Sequence, residues 1–271
     1  MTRPENPIVA RVRRKRPQQR FVGDRDLTTW PSRPGAGLAG LARRLRRRLT
    51  PHTVLVVLLV TGLALVAILT VAAGAVYDAV TEADGIAVLD RPALDLAESL
   101  RTPTGNFVVQ VYTSLGGGIG MPVLATLATV GLALAWRQWT PVLLVAVTAA
   151  GSLLLTAVGK STVGRVRPPL ADAVAPYELS ASFPSGHTLN SIAIAGIVAY
   201  LLVRRQHRRR TRTLTVAFAV LFTLFMGLSR VYLGHHWLTD VLVGWALGGA
   251  WLTIVITGHR LLLTVRTAPP T

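Results

Sequence analysis

Six long apolar runs dominate the sequence and limit what it can fold into. They lie at about 53–76, 117–136, 139–158, 188–203, 213–229 and 238–257, and Asp240 is the one charged residue inside them. A helix of roughly 20 apolar residues is long enough to cross the hydrocarbon core of a bilayer. The runs therefore predict an all-α protein of the cell membrane, a six-transmembrane-helix bundle over residues 51–260, with no sign of a second folded domain.

Basic residues gather in four segments that alternate with the predicted spans. These are the N-terminal tail, Arg137, the stretch Arg204–Arg212, and Arg260 with Arg266 near the C-terminus. Cytoplasmic loops carry an excess of lysine and arginine, so all four segments and both termini are predicted to be cytoplasmic. Most acidic residues lie in the opposite loops. The net charge of +17 is thus explained by topology and anionic lipid, and no nucleic-acid partner is expected.

Residues 1–50 form a basic tail with little apolar periodicity. The run Arg11–Arg16 repels itself and predicts a cytoplasmic segment that is largely disordered. From Leu38 to Leu49, leucines recur at helical spacing among arginines. This indicates either a short basic helix on the anionic inner leaflet or a positive flank of the first span. Residues 261–271 are predicted to be a short cytoplasmic C-terminal tail.

The long loop 77–115 carries two helix signals. Asp90 and Pro92 precede an apolar helical face and predict a capped helix, and Thr102 with Pro103 can start another. These helices either lie on the outer membrane surface beside a functional site or form an ordinary interfacial connector.

Three cations occur in polar clusters at the predicted outer ends of the last four spans. Lys160 and Arg167 precede Pro168, and Arg230 directly follows the fifth run. Lys160 and Arg167 share a face if the helix continues through both. Snorkelling at the membrane interface explains Lys160 alone, but it explains three cations beside two histidines poorly. A phosphate group, which suits both guanidinium and ammonium donors, is the predicted partner.

The cluster Phe183–His187 opens the fourth run. Pro184 and Gly186 break regular structure, and Ser185 is predicted to cap the helix. The free N–H groups and positive dipole end of a helix start can bind phosphate, with His187 beside it. A plain capped turn with a surface histidine explains this tetrapeptide equally well on its own.

His236 and Asp240 lie four residues apart at the start of the sixth run, within hydrogen-bond reach on one helix face. A carboxylate on one imidazole nitrogen fixes the tautomer and leaves the other nitrogen free to attack. A metal pair is the alternative. Metal sites prefer further carboxylates or histidines, whereas these surroundings are cationic, so a metal is disfavoured. The neighbouring His235 is assigned no role.

Together the clusters resemble the three-part signature of the type 2 phosphatidic acid phosphatase superfamily, K-x6-RP, PSGH and SR-x5-H-x3-D. The matching residues are Lys160 with Arg167 and Pro168, Pro184 to His187, and Ser229 with Arg230, His236 and Asp240. The resemblance covers roughly residues 77–257. It implies an integral-membrane lipid phosphate phosphatase that needs neither metal nor cofactor.

The resemblance also implies a role for each matched residue. His236 would be the nucleophile that forms a phosphohistidine, with Asp240 orienting it, and His187 would be the general acid. Five further matched residues would hold the phosphoryl oxygens and stabilise the transition-state charge, namely Lys160, Arg167, Ser185, Gly186 and Arg230.

The expected activity is release of a terminal phosphate from a lipid at the extracytoplasmic side of the membrane. Candidate substrates are undecaprenyl diphosphate, phosphatidic acid and phosphatidylglycerol phosphate. Phosphotransfer to an alcohol acceptor through the same intermediate is an alternative, and non-catalytic lipid binding or transport is another. The sequence determines neither the lipid nor the number of subunits.

Overall fold

The computed structural model describes residues 20–22, 25–48, 61, 64–65, 67–75, 78 and 85–267, and most of them are helical. The α-helices are α1 (Arg33–Arg48), α2 (Asp90–Ser99), α3 (Pro103–Ser114), α4 (Gly120–Trp136), α5 (Thr140–Val163), α6 (Gly186–Val203), α7 (Arg209–Tyr232) and α8 (Leu238–Thr267). Residues 67–75 are also helical. Two short strands, β1 (Phe21–Val22) and β2 (Arg25–Asp26), pair antiparallel.

Within the described ranges, four helices are long and apolar enough to cross a membrane, namely α5, α6, α7 and α8. The shorter apolar helix α4 covers the second predicted run. Helix α8 continues to Thr267, past the predicted boundary at 260 and into the predicted C-terminal tail. The first run, 53–76, lies largely outside the described residues, so the count of six spans stays a prediction.

Helix α6 lies at the centre of the bundle and packs against α5, α7 and α8. Leu189 and Ile197 on this helix are completely buried. Glycines let the neighbouring helices approach closely: Gly248 of α8 lies against the backbone of Leu189, and Gly151 of α5 faces the indole of Trp251. This packing fixes the helix ends that carry the polar clusters.

Both helices predicted in the long loop 77–115 are present, as α2 and α3, and both pack against α7. Thr102 caps α3, because its Oγ1 accepts a hydrogen bond from the backbone N–H of Gly105 at 3.0 Å. The predicted cap at Asp90 is wrong, since no side chain caps α2. The carboxylate of Asp90 instead binds the guanidinium of Arg165 at 2.7 Å. A hydrogen bond between two charged groups is stronger than one from a neutral backbone N–H at a helix start.

Part of the segment predicted as a disordered tail adopts regular structure. Strands β1 and β2 form a hairpin, and α1 packs against α8. Trp30 Nε1 donates to Thr264 Oγ1 at 3.0 Å, and the guanidinium carbon of Arg260 lies 4.4 Å from the Trp30 ring centroid. Arg260 also donates to the carbonyls of Leu27 and Thr29, both at 2.9 Å. Disorder in the rest of the predicted tail falls outside the described residues.

Candidate active site

The three polar clusters meet at one end of the bundle. They come from the end of α5 and the loop after it, the start of α6, and the connection between α7 and α8. All the residues predicted for the site lie here: Lys160, Arg167, Ser185, Gly186, His187, Arg230, His236 and Asp240.

Lys160 and Arg167 converge through a loop and not along one helix face. Helix α5 ends at Val163, and Gly164 follows in a left-handed conformation with φ of 62°, so the helix does not continue to Arg167. The loop then turns back. Nζ of Lys160 donates to Ser180 Oγ at 3.2 Å, and Nε of Arg167 donates to the Ser180 carbonyl at 2.6 Å. The two cations are therefore anchored to the same residue.

Glu178 is an acidic member of the site that the sequence reasoning missed. Its carboxylate bridges the guanidinium groups of Arg230 and Arg167, the latter at 2.8 Å from Nη2. Burial favours a higher pKa for Glu178, but Arg230, His187 and Arg167 outweigh burial and lower the pKa to about 2. Glu178 is therefore ionised at physiological pH and partly balances the cations.

His236 is buried between a carboxylate and a cation. Its Nδ1 lies 3.4 Å from Asp240 Oδ2, and its Nε2 lies 3.2 Å from Nη1 of Arg167. The same Oδ2 accepts hydrogen bonds from the Ser182 hydroxyl and from the backbone N–H of Trp237. Burial lowers the pKa of His236 to about 4, although the bond to Asp240 opposes this. A neutral imidazole with one nitrogen toward a carboxylate can act as a nucleophile through the other.

The start of α6 adjoins the His236–Asp240 pair. Ser185 is the N-cap, as predicted, but its hydroxyl accepts a hydrogen bond from the Thr188 hydroxyl at 2.9 Å instead of capping the backbone. The backbone N–H of Ser185 donates to the carbonyl of Asp240 at 3.2 Å. Gly186 and His187 follow as the first helical residues, where backbone N–H groups lack helical partners. This helix start can therefore offer donors to an anion.

A cavity of about 560 Å³ joins these polar groups to the apolar interior of the bundle. Lys160, Glu178, Gly186, His187 and His236 line its polar end. Helices α4, α5 and α6 line the remainder with mostly apolar residues, including Met121, Ala125, Val130, Val142, Val145, Ala146, Leu153 and Ile194. Its volume is within the range of about 300–1,000 Å³ typical of ligand pockets. Such a cavity can hold a molecule with an anionic head and an apolar tail.

Two further charged residues, Arg165 and Asp90, extend the hydrogen-bond network from Asp240. Arg165 Nη1 donates to Asp240 Oδ1 at 2.7 Å, and Arg165 Nη2 donates to Asp90 Oδ2 at 2.7 Å. Arg165 lies inside the first cluster of the sequence. Its partner Asp90 is 75 residues earlier in the chain, so no local sequence pattern connects the two.

Comparisons with known proteins agree with this arrangement. A model of the PAP2 superfamily matches residues 141–262, the range that holds all the predicted site residues. Phosphatidylglycerophosphatase B of Bacillus subtilis (strain 168) is 35% identical over 154 residues, which cover 55% of this chain and 72% of that protein. The crystal structure of a transmembrane PAP2-type phosphatidylglycerolphosphate phosphatase from Bacillus subtilis is similar with a TM-score of 0.58 and 30% identity, over 72% of this chain and 92% of that one. The similarity extends over the helices that carry the site.

Proposed function

Since the chain belongs to the PAP2 superfamily and is a multi-pass membrane protein, we propose that it hydrolyses the terminal phosphate of a membrane lipid through a phosphohistidine on His236. The observation that carries this proposal is the buried imidazole of His236, with Asp240 behind it, at the polar end of a mostly apolar cavity. A phosphate head fits among the cations while the lipid chain follows the apolar wall. The cations supply the charge stabilisation of the transition state, so the reaction is expected to proceed without a metal.

In the first step, Nε2 of His236 attacks phosphorus, and the N–P bond forms as the bond from phosphorus to the lipid oxygen breaks. Asp240 stabilises the positive charge that develops on the imidazole. His187 donates its proton to the leaving lipid oxygen, giving a lipid alcohol. Arg167 Nη1, at 3.2 Å from Nε2, is close enough to hold a phosphoryl oxygen during the attack. Lys160, anchored to the same Ser180 as Arg167, neutralises a second oxygen.

In the second step, water attacks the phosphohistidine and gives its proton to His187. The N–P bond breaks, inorganic phosphate leaves, and His236 is free again. Arg230, Ser185 and the backbone N–H groups that begin at Gly186 hold the phosphoryl oxygens through both steps. An alcohol in place of water would give phosphotransfer by the same route.

Among the candidate lipids, phosphatidylglycerophosphate is the proposed substrate. Both relatives described above carry its name. Asn190 gives physical support, because it lines the cavity one turn beyond His187 and its side-chain amide can exchange hydrogen bonds with a hydroxyl. The glycerol head of phosphatidylglycerophosphate carries a hydroxyl next to the terminal phosphate, whereas an isoprenoid diphosphate offers only hydrocarbon beyond its phosphates. A hydroxyl donor would satisfy Asn190.

The site is assigned to the extracytoplasmic side of the membrane. Helices α6 and α8 both begin at the site, so the basic connection Arg204–Arg208 and the C-terminal end of α8 lie at the opposite end of the bundle. The N-terminal segment shares that opposite end, because Trp30 binds Thr264. Positively charged connections face the cytoplasm.

Helix α1 is proposed to bind anionic lipids of the cytoplasmic leaflet. Leu38, Leu41 and Leu45 recur on one face of this helix, with 47%, 53% and 39% of their surface exposed. Arg43 and Arg44 are exposed between them. Exposed leucines with interleaved arginines are typical of a helix lying in an anionic membrane interface.

Phosphate release by the purified protein in EDTA tests the proposed activity. Phosphatidylglycerophosphate should be hydrolysed, and both His236→Ala and His187→Ala should abolish release. His207→Ala, in the exposed connection at the other end of the bundle, is the matched control and should keep full activity. Full activity in His236→Ala would refute the phosphohistidine, and loss of wild-type activity in EDTA would refute metal independence.

The same assay separates the alternatives. Phosphate recovered on an added alcohol in excess of free phosphate would identify a phosphotransferase. Tight binding of lipid phosphates without turnover of phosphatidylglycerophosphate, phosphatidic acid or undecaprenyl diphosphate would identify a non-catalytic binding protein.

A further inference from the structure

A second buried carboxylate supports the His236–Asp240 pair from the outer loop. Asp90, the first residue of α2, is only 5% exposed. Its Oδ1 accepts from the backbone N–H of Thr239 at 2.8 Å, and its Oδ2 accepts from the Thr239 hydroxyl and from Arg165 Nη2, both at 2.7 Å. A buried carboxylate is costly unless its oxygens are hydrogen-bonded in this way. Asp90 lies outside the range matched by the family model.

Arg165 connects this carboxylate to Asp240. Its Nη1 binds Asp240 Oδ1, and its Nη2 binds Asp90 Oδ2, both at 2.7 Å. The other oxygen of Asp240, Oδ2, faces Nδ1 of His236. One oxygen of Asp240 is thus held by the guanidinium while the other is turned to the imidazole. Arg165 helps to orient Asp240, together with the Ser182 hydroxyl and the Trp237 N–H that bind Oδ2. Asp90 in turn helps to position Arg165, which also donates to the Thr239 hydroxyl at 2.7 Å.

The charges of the three groups explain what Asp90 adds. Arg165 alone would cancel the charge of Asp240, and a neutral pair would stabilise a positively charged His236 poorly. With Asp90, the group carries one net negative charge beside the imidazole. The low dielectric of a buried site makes that charge effective.

We propose that Asp90 is a positioning residue for the reaction and acts through Arg165 on Asp240. It keeps Asp240 oriented toward His236 and maintains the negative charge that the phosphohistidine step requires. The outer helix α2 therefore contributes to turnover without touching the substrate. This inference rests on the proposed function, because it requires His236 to be the nucleophile.

Asp90→Asn is the direct test, since the amide keeps an oxygen for Thr239 but removes the charge. We expect kcat on phosphatidylglycerophosphate to fall by about 10- to 100-fold, the size expected from losing one hydrogen bond between charged groups, with little change in KM. Asp95→Asn is the matched control on the same helix, because Asp95 is 54% exposed and pairs with the exposed Arg91. Wild-type kcat in Asp90→Asn would overturn the proposal.

A double variant separates action through Arg165 from a general effect on folding. If Asp90 works through Arg165, adding Asp90→Asn to Arg165→Met should lower kcat little beyond the loss in Arg165→Met alone. Two fully additive losses would overturn the proposal.

The ring-nitrogen resonances of His236 give a readout that needs no turnover. Asp90→Asn should lower the fraction of imidazole with its proton on Nδ1, and Asp95→Asn should not. An unchanged His236 spectrum in Asp90→Asn would also overturn the proposal. Failure of the proposed function is distinguishable, because the wild-type protein itself would then release no phosphate.

Discussion

Replacing Arg167 by lysine separates the geometry of this cation from its charge. The guanidinium is held by the Ser180 carbonyl at 2.6 Å and by Glu178 at 2.8 Å, while Nη1 lies 3.2 Å from Nε2 of His236. A single lysine ammonium cannot bind Ser180 and Glu178 and also lie beside Nε2 of His236. Arg167→Lys therefore removes about one charge-assisted hydrogen bond from the transition state, worth about 1.5–3 kcal/mol. Since about 1.4 kcal/mol is a factor of ten in rate, kcat/KM should fall by roughly 10- to 150-fold.

Initial rates of phosphate release from phosphatidylglycerophosphate in mixed micelles measure this loss. The contact beside Nε2 acts mainly in the transition state, so kcat should fall more than KM rises. Arg91→Lys is the control: Arg91 is 53% exposed and pairs with Asp95 and Asp172, and exposed ion pairs contribute little. An unchanged kcat/KM in Arg167→Lys, or a loss confined to KM, would refute the reasoning.

Three other residues, His236, Asn190 and Gly151, can be tested through their burial or their contacts. His236, whose pKa is lowered to about 4, should show ring resonances of a neutral imidazole down to about pH 5, and a midpoint near the ordinary value of about 6.5 would contradict this. Because the unfolded chain binds that proton more readily, the contribution of His236 to stability should be lost as the pH falls from about 6.5 to about 4. Asn190→Leu should lower kcat/KM on phosphatidylglycerophosphate by about tenfold but spare undecaprenyl diphosphate; an equal change on both lipids in a competition assay would count against the proposed hydroxyl contact. Gly151→Ala would press a methyl group into the Trp251 indole, so it should cost about 1–3 kcal/mol and lower the thermal unfolding midpoint in detergent. Gly131→Ala, with nothing within 4 Å of the added carbon, should leave the midpoint unchanged or raise it, because alanine is the better helix former, and equal midpoints in the two variants would contradict the packing argument.

The positions of the long helices were predictable because apolar composition decides which segments enter a bilayer. Their ends were less predictable. Helix α7 begins at Arg209, before the apolar run, because arginines near a helix end can reach the interface with their long side chains. Helix α8 continues past the run to Thr267, where Trp30 and Arg260 attach the N-terminal segment to it. Composition carries no sign of that attachment.

Within the site, the contact between His236 and Asp240 was predictable because it follows from spacing along one turn. Contacts between distant segments were not. Arg230 and Glu178 are 52 residues apart, and Asp90 lies still further from Arg165 in the chain. A single acidic residue in a loop has no periodicity to mark it. Gly164 is a helix-stop signal in the sequence, so the spacing of Lys160 and Arg167 alone is not enough to predict a continuous helix.

The bridge that Glu178 forms between Arg167 and Arg230 affects which lipid head groups can bind at the site. Under the proposed function, the enzyme is surrounded by bulk phospholipids, whose phosphodiester groups carry one negative charge each. Any such head group must compete with a carboxylate already paired with two guanidinium groups. A terminal phosphate monoester, with a charge of about −1.5 to −2 at neutral pH, competes better. If the proposed function holds, Glu178 should therefore disfavour binding of singly charged head groups, so that the abundant phospholipids of the membrane do not inhibit the enzyme.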